Sequence, residues 1–443
     1  MLALRKSNKN DYIIPKTYKS IALLNIMRKI LELVIAKRLT RLAEINNLLP
    51  PTQMGARAGR SAETALQLIT EQVHAIWGLP GPQKVATLLS MDISGAFDHV
   101  SHERLIHNLR KKRIPTIITD WVRSFLHNRA TTIKLLEGES QQFTIATGIP
   151  QGSPISPILF LFFISDLLDI TNNEALRLSS TGFVDDINIL TYGETTERNC
   201  RVLERIHRKC EEWAVTHGAR FAPEKYELLH LTRAPKRFNL KAVPTLGGVQ
   251  VETKPSIRVL GIQIDSKLKW GPHIKKIHDR FASQSLALSR ITTSTWGAGF
   301  EKAKLIYNSV IKPTILYDAG VWYSPQGTVT ARKGVDKALE TLQNQCIRTV
   351  LGAYKATSGP ILEKEAEISP ITTTLDKAVA NAVRRQATTQ GGKTVTNIRD
   401  KLRRNAIPGW RRKLRQNRPT PGEIKANWLR ERVSEKLWTE LTS

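Results

Sequence analysis

The chain has 443 residues, and 41% of them are hydrophobic, enough to bury the cores of roughly two to four structural units. Its 67 Lys and Arg against 39 Asp and Glu give a net charge of +28, which favours a polyanionic partner such as nucleic acid over a basic surface without a role. The three cysteines form no CxxC pair and no Cys/His cluster, which argues against a zinc module or a disulfide scaffold and fits a reducing compartment.

The first two thirds of the chain mix helical and strand patterns. Apolar residues at helical spacing and capping residues predict helices over residues 21–42, 61–77, 101–112, 155–168 and 195–217. The first of these has a basic outer face. Apolar and β-branched runs predict strands over 85–93, 227–231 and 258–264, and a strand, tight turn and strand over 181–191. Residues 121–136 combine a short helix and a strand, and 235–255 form a loop or hairpin.

Beyond about residue 270 the pattern predicts helices only, over 273–291, 300–317 and 335–351. Residues 393–418 then carry ten basic residues and the single acid Asp400. A solvated tail and a set of helical pieces that offer Arg to phosphate both fit this run. The apolar run 155–168 contains Asp166 and is shorter than the ~20 residues of a membrane span, so we expect a buried helix and no membrane partner.

Carboxylates stand at two places where a metal could bind. Asp185 and Asp186 lie at the predicted hairpin turn, and Asp92 ends the predicted strand about ninety residues upstream. Magnesium prefers hard oxygen ligands, and two or three carboxylates suffice for two ions that activate a 3′-hydroxyl and stabilise a triphosphate. The backbone carbonyl of Ile93 is a further candidate ligand. Taken alone, an Asp pair at a turn is more often an ordinary turn signal.

Other residues admit both a functional and a plain reading. Phe97 could lie under a sugar and reject a 2′-hydroxyl, or simply belong to the core. The loop 148–154 opens a helix and could approach phosphate or template, with Gln151 and Gly152 against an incoming nucleotide. Lys225 could protonate a leaving pyrophosphate, although a surface lysine is far commoner. The run His102 to His107 resembles a zinc-protease motif but has one residue too many, so its histidines would not share a helical face.

Read in order, seven blocks resemble the reverse transcriptase domain of non-LTR (LINE-type) retrotransposons, most closely those of filamentous fungi. The blocks are YKSIALLN (18–25), QMGARAGRS (53–61), MDISGAFDHVSHERL (91–105), GIPQGSPISPILF (148–160), GFVDDINIL (182–190), ARFAPEKYELLHL (219–231) and RVLGIQID (258–265). The resemblance implies an α+β right-hand polymerase fold with fingers, a palm with an antiparallel sheet, a helical thumb and a basic helical C-terminal extension. The implied limits are 1–83 for the fingers, 84–265 for the palm with a fingers insertion near 113–146, 266–355 for the thumb and 356–443 for the extension. The reverse transcriptase domain as a whole would span about 1–265.

The resemblance also implies RNA-templated DNA synthesis from a primer with dNTPs and two Mg²⁺ ions, or Mn²⁺. It carries Asp92, Asp185 and Asp186 over as catalytic carboxylates and metal ligands, with Ile93 as a further ligand and Lys225 as the acid. It carries over further contacts, to the nucleotide by Lys19, Ile93, Phe97, Gln151 and Gly152, and to template or primer by Arg57, Arg60, Leu260 and Gly261. The family usually has Arg and Pro in the block that here reads Tyr18-Lys19-Ser20. Lys19 keeps the positive charge but loses the bidentate geometry with which Arg binds phosphate.

Two alternatives remain at the level of the sequence. One is a catalytically inactive, truncated remnant with an intact palm pattern and defective fingers, which binds RNA or DNA through its charge. We recognise neither an endonuclease region nor a ribonuclease H pattern, so we expect a fragment of a longer element. The other is an intron maturase-like splicing cofactor, which shares the palm; the ALLN and GARAGRS blocks argue against it. A nuclear location would suit a retroelement, and no targeting segment decides between the nucleus and a mitochondrion.

Overall fold

The computed structural model describes residues 1–6, 11–12, 14, 17–82, 84–135, 138–292, 297–325, 327–328, 330, 333–405 and 419–433. Its strands are β1 (Leu2–Arg5), β2 (Tyr18–Ile21), β3 (Val85–Met91), β4 (Arg129–Thr131), β5 (Lys134–Leu135), β6 (Gly138–Glu139), β7 (Phe143–Ile145), β8 (Leu178–Phe183), β9 (Asp186–Gly193), β10 (Glu227–Leu231), β11 (Thr245–Leu246), β12 (Val249–Gln250), β13 (Ser256–Val259) and β14 (Ile262–Asp265).

The helices up to residue 291 are α1 (Ile26–Ile45), α2 (Ala62–Trp77), α3 (His102–Lys111), α4 (Thr116–Leu126), α5 (Ser156–Thr171), α6 (Thr196–His217) and α7 (Gly271–Ile291). Those that follow are α8 (Phe300–Ile306), α9 (Lys312–Leu316), α10 (Ala319–Trp322), α11 (Lys333–Leu351), α12 (Gly359–Glu365), α13 (Ile371–Thr388), α14 (Gln390–Asn405) and α15 (Pro421–Arg430). The α+β class and the helical C-terminal part are therefore as predicted.

The chain forms two compact units. Unit 1 comprises residues 1–61, 87–228 and 239–253, and unit 2 comprises 62–86, 229–238 and 254–443. The expected fingers, palm and thumb limits cut the chain differently: α2, expected in the fingers, belongs to the same unit as the helical C-terminal part.

The apolar helix predicted between residues 155 and 168 is the centre of unit 1. It is α5, and its Phe160, Phe162 and Phe163 are completely buried. It packs against α3, α6 and β8. A helix this apolar is stable only when its neighbours enclose it. Its two acids, Asp166 and Asp169, form ion pairs with Lys111 and Lys112. Among the described residues no helix has both the length and the hydropathy to cross a membrane.

A four-stranded sheet with the order β10-β3-β9-β8 lies beside this core. Strand β3 is buried along nearly its whole length, as its continuous apolar sequence predicts. Strands β8 and β9 form an antiparallel hairpin in which Phe183 pairs with Asp186. Thr195 caps α6 at its start, and Gly218 ends it in the left-handed conformation that glycine adopts without a steric penalty.

Helix α1 departs from the prediction. Its spacing favoured one buried apolar face, but among its apolar residues only Ile35, Ala36, Leu39 and Ala43 are buried, while several apolar side chains of its first half are exposed. These are Ile26, Met27, Ile30, Leu31, Leu33 and Val34. Glu32 is buried instead, and it accepts hydrogen bonds from Arg28 and from Ser153 of the Gly/Pro loop.

The basic C-terminal run is helical and packed wherever the structure describes it. Helix α14 lies along α2, and α13 contacts α10, α14 and α15. Of the apolar residues that suggested helical pieces, Ile398 and Leu402 lie on α14, whereas Ile407, Trp410 and Leu414 fall outside the described residues. A solvated tail is therefore wrong for 393–405.

Candidate active site

The tip of the β8–β9 hairpin presents two carboxylates side by side. Phe183 and Asp186 close a two-residue turn made of Val184 and Asp185. Val184 has a φ of 59°, which a β-branched residue rarely adopts. Strain of this kind persists only where surrounding structure holds the turn in place.

A segment preceding α2 supplies that support within unit 1. The N–H of Gly182 donates to the carbonyl of Thr52 (3.1 Å), and the N–H of Met54 donates to the carbonyl of Gly182 (2.7 Å). Gly55 then lies so close to the turn that a Cβ built on it would stand 2.6 Å from the nitrogen of Val184. Its missing side chain thus allows residues 52–55 to brace the carboxylate turn. The sequence analysis assigned no role to Gly55. The available signal was its position directly after Gln53 and Met54, the residues that pair with Gly182.

Asp92 follows β3 directly, and a second segment holds it. Ser94 donates its N–H to Arg220 (2.8 Å), and Ala222 donates to the carbonyl of Asp92 (3.1 Å). Residues 219–222 therefore run beside residues 92–94, and Ile93 forms a bridge with Phe221. Ile93 itself is buried, so the backbone at this point is fixed.

The same arrangement brings Lys225 to Asp92. A short 3₁₀ turn at Pro223–Lys225 follows the paired segment. The ammonium of Lys225 donates to Oδ2 of Asp92 at 2.6 Å, although the two residues are 133 positions apart. The predicted acid and the predicted metal ligand are thus adjacent.

The electrostatics of the site show that the three carboxylates lie within each other's field. Partial desolvation, followed by repulsion from Asp185 and Asp92, raises the pKa of Asp186 to about 6, although the residue as a whole is exposed. Desolvation and the charge of Asp92 also raise the pKa of Asp185, and the nearby charge of Lys19 opposes this shift. Repelling carboxylates of this kind are stabilised when a cation neutralises them.

The donors fit a hard divalent cation. Carboxylate oxygens are the ligands that Mg²⁺ prefers, and it needs few from the protein because water and substrate supply the others. Within the described residues, no three His, Cys, Asp or Glu side chains are already arranged around a single point. Asp92 is instead paired with Lys225, whose Nζ lies 2.6 Å from its Oδ2.

The predicted nucleotide contacts come from the Gly/Pro loop and from residues 97–98. Phe97 stacks on Phe160 with 5.0 Å between ring centroids, which fixes the orientation of its ring. Gln151 donates its amide to Asp98 at 3.1 Å, and its carbonyl accepts the N–H of Ala22. Gly152 has a φ of 99°, where a side chain would be strained and would meet the carbonyl of Ala22. Asp98 therefore positions Gln151.

Two of the predicted template or primer contacts are arginines, and one of them is wrong for this structure. Arg57 has a side chain only 2% exposed, and its guanidinium forms a bidentate ion pair with Glu44 and donates to the carbonyl of Pro50. It therefore stabilises the fold and offers no guanidinium to a phosphate. Arg60 is half-buried and donates to the carbonyl of Pro51. Burial and the charge of Arg57 lower the pKa of Arg60 to about 10.

The remaining pair, Leu260 and Gly261, forms the turn between β13 and β14 in unit 2. Both residues have positive φ, 46° and 91°. The hydroxyl of Tyr317 donates to the carbonyl of Leu260 (2.9 Å), and its ring covers Gly261. The residues predicted as one strand over 258–264 therefore form a hairpin, and an aromatic side chain holds its tip.

A family model described as reverse transcriptase (RNA-dependent DNA polymerase) matches residues 5–264 of this chain. The chain is 23% identical over 367 residues to the probable RNA-directed DNA polymerase from transposon BS of Drosophila melanogaster, covering 81% of this chain and 38% of that protein. It is 25% identical over 340 residues to the RNA-directed DNA polymerase from mobile element jockey of the same species, covering 76% and 36%. The chain thus spans less than two fifths of the length of these relatives.

Two polymerases are among the solved structures that align with the chain. Apo telomerase from Candida tropicalis aligns with a TM-score of 0.43 and 10% identity, over 89% of this chain and 61% of that one. The RNA-dependent RNA polymerase of a human picobirnavirus aligns with a TM-score of 0.39 and 14% identity, over 82% and 62%.

Proposed function

Since this chain belongs to the reverse transcriptase (RNA-dependent DNA polymerase) family, we propose that it is the RNA-directed DNA polymerase of a non-LTR retrotransposon. The observation that carries the proposal is the convergence of Asp92, Asp185 and Asp186, with Lys225 against Asp92. Family membership also confirms the predicted right-hand polymerase fold and the LINE type, through the relatives from jockey and transposon BS. The narrower resemblance to elements of filamentous fungi remains our proposal, based on the seven sequence blocks.

The reaction joins a primer 3′-hydroxyl to the α-phosphate of a dNTP and releases pyrophosphate. We assign Asp92, Asp185, Asp186 and the carbonyl of Ile93 to hold two Mg²⁺ ions, with Mn²⁺ as a substitute. When bound, such ions supply Lewis-acid stabilisation of the attacking and leaving oxygens. The carboxylates contribute the negative charge that gathers these ions, and their turn and strand end fix where that charge lies.

Lys225 has two roles in this proposal. Its ammonium balances the charge of Asp92 in the structure, which limits repulsion among the three carboxylates before substrate arrives. Its proton is also available to the leaving pyrophosphate, which becomes more basic as the bond to the α-phosphate breaks. General acid catalysis of this kind contributes about 10²–10⁴-fold to a rate.

The nucleotide contacts follow from the positions of the remaining residues. The charge of Lys19 reaches the carboxylate turn, so we propose that it binds the triphosphate. Gln151, held by Asp98, and Gly152 would border the base and the template. The ring of Phe97, oriented by Phe160, would exclude a ribose 2′-hydroxyl and so favour dNTPs over rNTPs. The proposed partners are therefore an RNA template, a DNA primer or target, and dNTPs.

The decisive experiment is primer extension on an RNA template with and without Mg²⁺. We expect metal-dependent synthesis by the wild type and at least a 10³-fold loss in Asp185→Asn, which keeps the shape of the side chain and removes one charge. Activity that survives Asp185→Asn would refute the site assignment. An inactive wild type that still binds RNA would instead support the inactive remnant.

Two further proposals have separate tests. Splicing of a candidate host intron, stimulated by the protein, would favour the maturase-like cofactor. A retroelement polymerase must reach chromosomal DNA, so we propose a nuclear location; a tagged chain that co-fractionates with mitochondria would contradict it.

A further inference from the structure

Unit 2 contains a cavity that is lined by none of the residues assigned to the polymerase reaction. Its volume is about 350 Å³, which lies in the range of about 300–1,000 Å³ typical of small-molecule sites. Helix α2 forms one wall, and the others come from α10, α13, α15 and the loop after β14. Its charged lining residues are Glu71, Arg233, Lys267, Lys269 and Lys425. Four cations thus surround one carboxylate.

Lys425 of α15 is the buried cation of this cavity, with a side chain almost wholly withdrawn from solvent. Its ammonium donates to the carbonyls of Gly320 (2.8 Å) and Val321 (3.2 Å). An ammonium has three N–H donors, so these two hydrogen bonds leave one N–H of Lys425 for a further acceptor. Lys425 is one of the residues that line the cavity. Burying a charge costs free energy, so a buried ammonium is retained mainly where it meets a complementary group.

Glu71, the one carboxylate, is already engaged by its own neighbours. It accepts the N–H of Gly422 at 2.8 Å and the hydroxyl of Thr420, and Arg399 lies 3.4 Å away. Arg399, which is outside the cationic set of the cavity, therefore shares the charge of Glu71, and that charge also acts on Lys425. Four cations against one carboxylate leave the lining with a formal excess of positive charge.

Arg233 is held in place by two aromatic residues of α2. Its guanidinium carbon lies 4.8 Å from the centroid of the Trp77 ring, and Nη2 is 3.1 Å from Nδ1 of His74. Burial and the charges of Arg233 and Lys425 lower the pKa of His74 to about 3, so this imidazole stays neutral and accepts the hydrogen bond. Stacking of this kind pre-organises a guanidinium for binding anions.

The loop after β14 presents the other two cations on a rigid frame. The carboxylate of Asp265 accepts the backbone N–H groups of Lys267, Lys269 and Trp270, at 3.0, 3.1 and 2.6 Å. Both lysine side chains are exposed at the cavity, while Trp270 is buried beneath them. The loop therefore holds two ammonium groups near the opening without a flexible backbone.

We propose that this cavity binds a small phosphate-bearing anion, of about the size of pyrophosphate or a nucleoside monophosphate. The combination of one stacked guanidinium and several ammonium groups suits the charge and the oxygen atoms of phosphate. The cavity is too small for a nucleic-acid duplex. A free nucleotide and the phosphorylated end of a nucleic acid share this chemistry, and the experiment separates them. The inference does not depend on polymerase activity.

Binding can be measured by calorimetry with the full chain in EDTA, which prevents metal-dependent binding at the carboxylates. The probes are pyrophosphate, 5′-AMP and adenosine at constant ionic strength. The test variant Lys267→Ala/Lys269→Ala removes two exposed charges at the cavity. The matched control Lys302→Ala/Lys337→Ala removes two exposed lysine charges from α8 and α11 of the same unit. Lys425→Met probes the buried charge, with thermal unfolding as a check on folding.

We expect saturable binding of 5′-AMP or pyrophosphate, no binding of adenosine, and at least tenfold weaker binding in the cavity variant against less than twofold in the control. To identify the source, short RNAs with a 5′-phosphate and a 5′-hydroxyl are compared. A cavity-dependent preference for the phosphorylated RNA, without binding of AMP or pyrophosphate, would assign the site to a nucleic-acid end. Equal weakening in the cavity and control variants, or no saturable binding of any phosphate probe, would refute the proposal.

Discussion

Gly55 offers the sharpest test of how the structure holds its carboxylates. In Gly55→Ala a methyl group would stand 2.6 Å from the backbone nitrogen of Val184, 2.7 Å from its Cγ2 and 3.0 Å from the carbonyl carbon of Phe183. Two of these three atoms are backbone, so rotation of a side chain cannot relieve the contact. The turn that carries Asp185 and Asp186 must move.

The size of the movement follows from the distances. Ordinary contacts of a Cβ begin at 3.4 Å, so the turn must withdraw by about 0.8 Å. A misplacement of about 1 Å can cost about 10²-fold in rate. We therefore expect kcat to fall about 10²-fold, equivalent to about 2.7 kcal/mol in the activation barrier. Overpacking should lower the unfolding free energy by about 1–3 kcal/mol.

The assay is single-nucleotide extension of a primer on an RNA template, with RNA affinity and thermal unfolding measured on the same preparation. Gly138→Ala is the matched control, because a Cβ at Gly138 meets nothing within 4 Å and the residue lies in the same unit. RNA affinity should stay within twofold in both variants, since neither removes a charge.

The reasoning would be refuted by a folded Gly55→Ala variant that extends primers at the wild-type rate. It would also be refuted if Gly138→Ala lost activity to the same extent, because general sensitivity to alanine would then explain the loss.

Phe97→Val should lower the preference for dNTPs over rNTPs by at least tenfold, because a smaller side chain on the same backbone leaves room for a 2′-hydroxyl. The preference is measured as the ratio of the two kcat/KM values, and an unchanged ratio would place the sugar elsewhere. Arg399→Met should lower the unfolding free energy by about 3 kcal/mol, because it removes a buried partner of Glu71. The control Arg404→Met, on the exposed side of α14, should change the unfolding free energy by less than about 0.5 kcal/mol. Equal effects of the two substitutions in denaturant titrations would contradict this reasoning. Burial lowers the pKa of Lys425 from 10.5 to about 8, so between pH 8 and 10.5 the unfolded chain holds a proton that the folded chain has released. The unfolding free energy of the wild type relative to Lys425→Met should therefore rise over this range, by up to about 3 kcal/mol, and a constant difference would show that Lys425 titrates normally.

Local patterns were sufficient to predict several of the main elements of this chain. The helices α3, α5 and α6, the hairpin β8–β9 and the strand β10 lie within a few residues of their predicted limits. Their signals are short-range: a capping serine or threonine, a closing Gly218, and an apolar spacing that matches one period. Such signals depend on neighbours in sequence, so no tertiary information is needed to interpret them.

The same reasoning failed where a distant partner decides the environment of a side chain. Arg57 was predicted to contact template, but Glu44 and the carbonyl of Pro50 enclose its guanidinium. The apolar residues of the first half of α1 were expected to be buried, yet the described neighbours leave Ile26 and Met27 about three quarters exposed. Neither outcome is encoded in the spacing of the residues concerned.

By itself the sequence determined the carboxylates and the order of the motifs, which was enough to identify the family. Tertiary structure alone decided that Lys225 reaches Asp92, that Gly55 braces the strained turn at Val184, and that four cations from three separate segments surround one cavity. These arrangements join residues far apart in sequence. Each depends on distances of a few ångströms between packed segments, which periodicity and composition do not specify.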